Sequence, residues 1–194
     1  MIHINDISVG ILAGGQATRM GNKDKGLVHV KGEPLIKNLI EKISSKTENI
    51  IVNANRNIKE YEVYNYPVVK DIYNNFQGPL AGIYSMLKFI KTDYLVTLPC
   101  DCPNFNWEVI NKLIKESDKT TDISIAHNNQ RSQPVFMLVS KSLTKSLFNF
   151  LENGERKIDA WYQNNNYKYI YFDEGLNYFD NINTIKQLND YNSK

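Results

Sequence analysis

Cysteine is nearly absent: the 194 residues hold two, Cys100 and Cys102, two positions apart. A bridge between residues so close would be strained, and no further cysteine or histidine pair stands near them to complete a zinc site. They read as reduced thiols near a strand end. Histidine is almost as scarce, and His3, His29 and His127 are scattered. They support neither a metal cluster nor a catalytic triad, and each reads as structural or exposed. Excess charge is missing as well. Lys and Arg number 23 against 21 Asp and Glu, a net +2, which leaves no basic field of the kind a nucleic-acid binder carries. No apolar run approaches the ~20 residues of a membrane span. Asp6 interrupts any secretory core near the start. No repeat, linker or composition shift divides the chain, so residues 1–194 are expected to form a single cytoplasmic domain large enough to bury a core.

What is present is concentrated in one early stretch. Ile7 to Ala13 is an apolar run of strand length, and it breaks on Gly14-Gly15. Residues without Cβ let the backbone turn and let a bulky ligand approach the amides. The cations Arg19, Lys23 and Lys25 follow. A glycine turn at the carboxyl end of a strand, followed by fixed cations, suits a polyphosphate. It is not a Walker A loop, since no Gly-Lys-Ser/Thr occurs in the stretch, and Gly14, Gly15 and Gly21 do not fit the dinucleotide fingerprint.

The rest of the chain alternates strand and helix signals. Leu27 to Val30 predicts a short strand and turn, and Leu35, Ile36, Leu39, Ile40 and Ile43 a helix with one buried face. Asn49 to Asn55 predicts a strand ending on polar Asn53 and Asn55; Tyr66 to Asp71 predicts another ending on Asp71. Pro79 suits the first position of a helix carrying Leu80, Ile83, Tyr84, Leu87 and Ile90. Gly78 and Gly82 either place that helix end against a base or phosphate, or mark a turn and a close packing contact. Asp93 to Leu98 predicts a central strand, ending in Pro99-Cys100-Asp101-Cys102-Pro103. A carboxylate held there is a hard oxygen ligand suited to Mg²⁺, which takes one or two carboxylates plus substrate phosphates. Asn106 is expected to cap a helix with Val109, Ile110, Leu113 and Ile114 inward. Further strands are expected at Ile123 to Ala126, Val135 to Val139 and Tyr169 to Phe172, with helices at Leu143 to Leu151, Ile158 to Tyr162 and through Ile185, Leu188 and Tyr191. This alternation predicts an α/β fold with a mainly parallel central sheet, and a site along one sheet edge.

Leu12-Ala13-Gly14-Gly15, Arg19-Met20-Gly21 and Asp24-Lys25, at this spacing, resemble the signature loop of the nucleotidyltransferases. Asn53-Ala54-Asn55-Arg56, Gly78-Pro79-Leu80-Ala81-Gly82, Pro99-Cys100-Asp101, Gly154-Glu155-Arg156-Lys157 and Asn181-Ile182-Asn183-Thr184 follow in order, and the combination is similar to the molybdenum cofactor guanylyltransferases. The resemblance implies a three-layer Rossmann-like nucleotidyltransferase fold and transfer of GMP from GTP to molybdopterin. It implies GTP contacts at Leu12, Ala13, Gly14, Gly15, Lys25, Asn53, Asp71, Gly78 and Asp101. It also implies Arg19, Lys25 and Asp101 as catalytic residues, with Mg²⁺ on Asp101 as cofactor. Asn53 and Asp71 divide base and ribose selection in a way the sequence leaves open. Asn181 and Asn183 either complete the metal or pyrophosphate region or cap the last helix. Arg131, Gln133 and Arg156 fall on the acceptor side. Cys102 departs from the threonine often found there. Molybdoenzyme apoproteins or their chaperones are further conceivable partners. Alternatives are a sugar-phosphate nucleotidyltransferase, a molybdopterin cytidylyltransferase, or a non-catalytic carrier of the nucleotide or cofactor.

Overall fold

Strand β1 (Ile7–Leu12) is buried on both faces, with Ile7, Val9 and Ile11 inaccessible to solvent. A strand covered on both sides reads as the continuous apolar run seen in the sequence. The computed structural model describes residues 1–15, 24–73, 78–173 and 175–193, so Arg19 and Lys23 lie outside the described residues. A two-residue hairpin pair, β2 (His29–Val30) and β3 (Glu33–Pro34), follows a single 3-10 turn at Lys25–Leu27. Helix α1 (Leu35–Ser44), strand β4 (Ile50–Asn53), the short helix α2 (Ile58–Glu62) and strand β5 (Val68–Val69) complete the first half. Then come α3 (Pro79–Phe89), β6 (Tyr94–Pro99), α4 (Glu108–Glu116), β7 (Ile123–His127) and β8 (Ser132–Ser140). The chain closes with α5 (Thr144–Glu152), α6 (Ile158–Gln163), β9 (Tyr167–Tyr171) and α7 (Ile185–Asn192).

Among the described residues, seven strands form one sheet in the order β5-β4-β1-β6-β8-β7-β9. Every neighbouring pair is parallel except those made by β8, which runs against β6 and β7. The parallel strands therefore end on one edge, where the start of β8 joins them. Alternation of side chains assigns each residue to a face. One face packs on α1, α2 and α4 through Ile36, Leu39, Tyr61, Val109 and Leu113. The other packs on α3, α5 and α6 through Leu80, Ile83, Leu147, Leu151 and Trp161. Full burial of one such side chain contributes ~1.5–3 kcal/mol. Helix α7 instead joins Leu188 and Tyr191 to a small cluster with Val28, Val30 and Ile182.

The expected elements are present, with shifted ends. The strand expected over Tyr66 to Asp71 pairs only at Val68–Val69, because Pro67 offers its carbonyl but no N–H to the ladder. Helix α4 starts two residues after Asn106, whose Oδ1 accepts from the Glu108 amide at 2.9 Å. Helix α2 is an addition to the sequence reading. Its single turn is too short for a periodic signal, and it is held by Tyr61, which is fully buried. Among the described residues no helix is long and apolar enough to cross a membrane.

Candidate active site

The carboxyl ends of β1, β4, β5 and β6 converge, which is where ligands sit in open α/β sheets. The Ala13 amide donates to Asn53 O at 2.8 Å, and Leu12 O accepts from the Cys100 amide at 3.1 Å. The turn into Gly14-Gly15 is thus tied to both neighbouring strands. Asn53 is buried; its Nδ2 donates to Val69 O at 3.1 Å and to Asp71 Oδ1 at 2.8 Å. Asn55 Nδ2 donates to Asp71 Oδ2 at 2.7 Å, and the Asp71 amide returns a bond to Asn55 Oδ1 at 2.9 Å. The result is a carboxylate held by two amide side chains at the rim of the glycine turn. Ser85 of α3 accepts from the Ile72 amide and donates to Ala81 O, both at 2.8 Å, which pins the end of β5 to α3.

Two glycines make room for this cluster. A Cβ on Gly14 would lie 2.8 Å from Asn55 Nδ2. A Cβ on Gly82 would lie 2.6 Å from Leu12 Cδ2 and closer still to Asn53 Oδ1. Gly82 is thus the close packing contact between α3 and β4. Gly78 takes a left-handed φ of 80° where it precedes Pro79. Gly82→Ala is expected to push Asn53 off Val69 and Asp71. Loss of those bonds and local overpacking should lower stability by ~1–3 kcal/mol and weaken GTP binding about tenfold. Thermal melts and calorimetric titration with GTP check both; wild-type values in both would remove Asn53 from the site.

Lys25, in the 3-10 turn after the loop, reaches across the edge. Its Nζ lies 2.8 Å from Asp101 Oδ2 and 2.5 Å from Asn183 Oδ1. Asp24 holds the turn from behind: it is buried, accepts from Tyr61 Oη at 2.5 Å, and is 3.4 Å from Asn57 Nδ2. Burial pushes the Asp24 carboxyl above its ordinary range, while the Tyr61 bond and the Arg56 charge pull it down. Arg56 itself donates to Gly15 O at 3.1 Å. The thiols behind Asp101 are reduced and buried; burial pushes both well above the usual range, so they offer no nucleophile. Cys102 Sγ donates to Asn181 Oδ1 at 2.9 Å. Asn183 therefore reaches into the site, Asn181 packs on Cys102 behind Asp101, and the cap of α7 is Thr184, paired with Gln187.

Asp101 is 5% exposed, and its Oδ1 is buried without a hydrogen-bond partner. An orphaned carboxylate oxygen is costly to keep and has a place for a cation. Among the described residues no group of three or more His, Cys, Asp and Glu side chains gathers to hold a metal. One carboxylate plus substrate phosphates fits the habit of Mg²⁺.

With this geometry in hand, the chain can be set beside known proteins. A family model of the MobA-like NTP transferase domain matches residues 9–166. The chain belongs to that family. A molybdenum cofactor guanylyltransferase of Vibrio vulnificus (strain YJ016) is similar to this MobA-like chain at 41% identity over 181 residues, covering 93% of this chain and 92% of its own. That of Shewanella piezotolerans (strain WP3 / JCM 13877) is 40% identical over 182 residues, covering 93% and 89%. The solved molybdopterin-guanine dinucleotide biosynthesis protein A from Archaeoglobus fulgidus shares the fold, with a TM-score of 0.80 at 24% identity, covering 96% and 97%.

In this MobA-like transferase the structure brings Leu12, Ala13, Gly14, Gly15, Lys25, Asn53, Asp71 and Asp101 to one sheet edge, with Gly78 at the start of α3. Arg131 and Gln133 lie at the start of β8 on the same edge. Arg156 donates to Leu151 O at 2.7 Å at the end of α5. Sequence reasoning did not single out Asp24 and Tyr61 as site residues, while it placed Asn55 beside Asn53 at the polar strand end. The only signal for Asp24 was its place in the loop motif, and Tyr61 had none.

Proposed function

We propose that this chain transfers the GMP part of GTP to the terminal phosphate of molybdopterin, giving molybdopterin guanine dinucleotide and pyrophosphate. The observation that carries the reading is the Lys25–Asp101 pair at 2.8 Å beside the glycine turn, in a chain 41% identical to a guanylyltransferase along 93% of its length. The Gly14-Gly15 turn and Gly78 receive the nucleotide. Asp71, steadied by Asn53 and Asn55, accepts from the N1 and N2 donors of guanine or from the ribose. The base selector must be an oxygen acceptor, since guanine alone presents two adjacent donors on that edge.

The acceptor phosphate oxygen attacks the α-phosphorus of GTP, a new P–O bond forms, and the bond to the β-phosphate oxygen breaks to release pyrophosphate. A phosphate monoester is already substantially dianionic near neutral pH, so no general base is required. Positioning and charge neutralisation supply the catalysis. Lys25 places its ammonium between Asp101 and Asn183, against the phosphates. Arg19 is assigned a planar fork toward the leaving pyrophosphate. Asp101, through Oδ1, is assigned to hold Mg²⁺, which would supply Lewis-acid neutralisation of phosphate charge.

The test is product mass after incubation with molybdopterin, Mg²⁺ and each nucleoside triphosphate in turn. A dinucleotide formed with GTP alone is expected. Product with CTP instead would keep the chemistry and overturn the base assignment; GTP binding with no product would make the chain a carrier.

A further inference from the structure

Among the described residues, four buried side-chain polar atoms lack a hydrogen-bond partner: Asp101 Oδ1, Gln133 Nε2, His127 Nδ1 and Trp161 Nε1. Three of the four fall at one edge of the sheet, one each past the end of β6, at the start of β8 and at the end of β7. Unsatisfied buried atoms are rare in folded chains, and their gathering marks a place where a partner is missing. The catalytic reading accounts for Asp101 and leaves the other two.

His127 sits in a cluster of tilted and edge-on aromatic rings. Its ring centroid is 5.2 Å from Tyr169 and 4.9 Å from Tyr171. Alternation places Tyr167, Tyr169 and Tyr171 on one face of β9, the face that carries Ile125 and His127 on β7. Lower in the cluster Tyr169 packs on Tyr162 of α6, with the two hydroxyls 3.1 Å apart. Tyr171, at the carboxyl end, is 53% exposed. The cluster thus ends as an open aromatic surface on the same sheet edge as Asp101.

The register fixes the span. Thr97 pairs with Met137, and Met137 with Ile125, so His127 is level with Pro99, two residues short of Asp101. Only β8 lies between β6 and β7, which sets the lateral separation at about 10 Å. Beside this path β8 leaves its pairing between Gln133 and Met137, and Val135 O accepts instead from Thr97 Oγ1 at 2.7 Å. A ligand lying along this path has an anionic group near Lys25 and Asp101, and a flat ring system some 10 Å away.

We infer that the His127–Tyr171 surface is the subsite for the fused heteroaromatic ring of the acceptor. The ring stacks on Tyr171 and His127 while the acceptor's phosphate meets the catalytic pair. Gln133 pairs with Ala126 and so lies on the opposite face of the sheet from His127; it is not part of this surface. This assignment rests on the proposed transfer to molybdopterin and adds the residues that choose the acceptor.

The experiment uses the full chain, GTP, Mg²⁺ and molybdopterin, with 6-hydroxymethylpterin as a fluorescent probe that lacks the phosphate. Tyr171→Ala is expected to raise the KM for molybdopterin about tenfold, the scale of losing one base–aromatic stack, while the Kd for GTP stays at its wild-type value. Tyr171→Phe keeps the ring and should restore the wild-type KM. Wild-type protein should quench the pterin probe saturably, and Tyr171→Ala should not. Because Tyr171 is exposed, a folding defect is not expected from its removal. Dinucleotide formation by the wild type with an unchanged KM and unchanged quenching in Tyr171→Ala would overturn this inference and leave the proposed function standing. Absence of dinucleotide from the wild type would overturn the function and the inference together.

Discussion

Asp101→Ala is expected to abolish Mg²⁺-dependent formation of the dinucleotide. The carboxylate combines three properties that no neighbour can replace. It is buried at the end of a strand, one oxygen is bonded to Lys25 at 2.8 Å, and the other is without a partner. Its backbone is fixed as well, since Asp101 O accepts from the Ile182 amide at 2.9 Å. Removing the side chain frees Lys25 from its partner but leaves its ammonium partly hydrated, so the fold should survive. The clean readout is turnover against Mg²⁺ concentration, with GTP binding measured in parallel without metal. The wild type should saturate with Mg²⁺; the variant should stay at background throughout. Asp101→Asn, which keeps the shape and loses the charge, should fail the same way. Near-normal turnover in either variant would sink the assignment.

Lys25→Ala is expected to lower turnover by about 10²–10³-fold, the scale of losing one preorganised donor at a site of developing charge. Its effect on the fold differs in kind from that of the first variant. Asp101 would be left buried and charged with no cation, a cost of about 1–3 kcal/mol. Melting temperature should therefore fall in Lys25→Ala more than in Asp101→Ala, and the double variant should recover part of the loss. Lys25→Arg should not rescue turnover. A planar guanidinium cannot stand as a point donor between Asp101 Oδ2 and Asn183 Oδ1. Single-turnover kinetics at saturating GTP separate the chemical effect from binding. A double variant as unstable as the sum of the singles would mean that the ion pair carries no coupling energy.

Much of this architecture was legible in the sequence because buried parallel strands write themselves as apolar runs. The stretch from Ile7 to Leu12 and that from Tyr94 to Pro99 are examples, and each ends beside residues of the proposed site. Asp101 was legible for the same reason, since it follows a strand end; Lys25 was reached instead through the glycine turn and the cations that follow it. The partner of Lys25 on the far side was not. Asn183 lies in a segment without periodicity, and nothing local distinguishes an asparagine that caps a helix from one that reaches into a site. The outcome turned on Thr184 taking the cap. The support under the loop was hidden in a similar way. The bond from Tyr61 to Asp24 joins residues whose roles emerge only once a five-residue helix folds back. The aromatic surface at His127 depends on a register between β7 and β9 that no spacing within one strand reveals.

The contact from Lys25 to Asn183 spans 158 positions of sequence, and that from Cys102 to Asn181 spans 79. During synthesis the amino-terminal part emerges first and begins to fold as a unit. The sheet can assemble from β1 through β9 before the Asn181–Thr184 segment docks. Such an intermediate would have most of its core and an open glycine turn, yet Lys25 would lack one of its two oxygen partners. On the role proposed for Lys25, competence for transfer waits until the segment ending in Thr184 docks. Asn183→Ala, which leaves the core intact, should give a folded protein with reduced turnover.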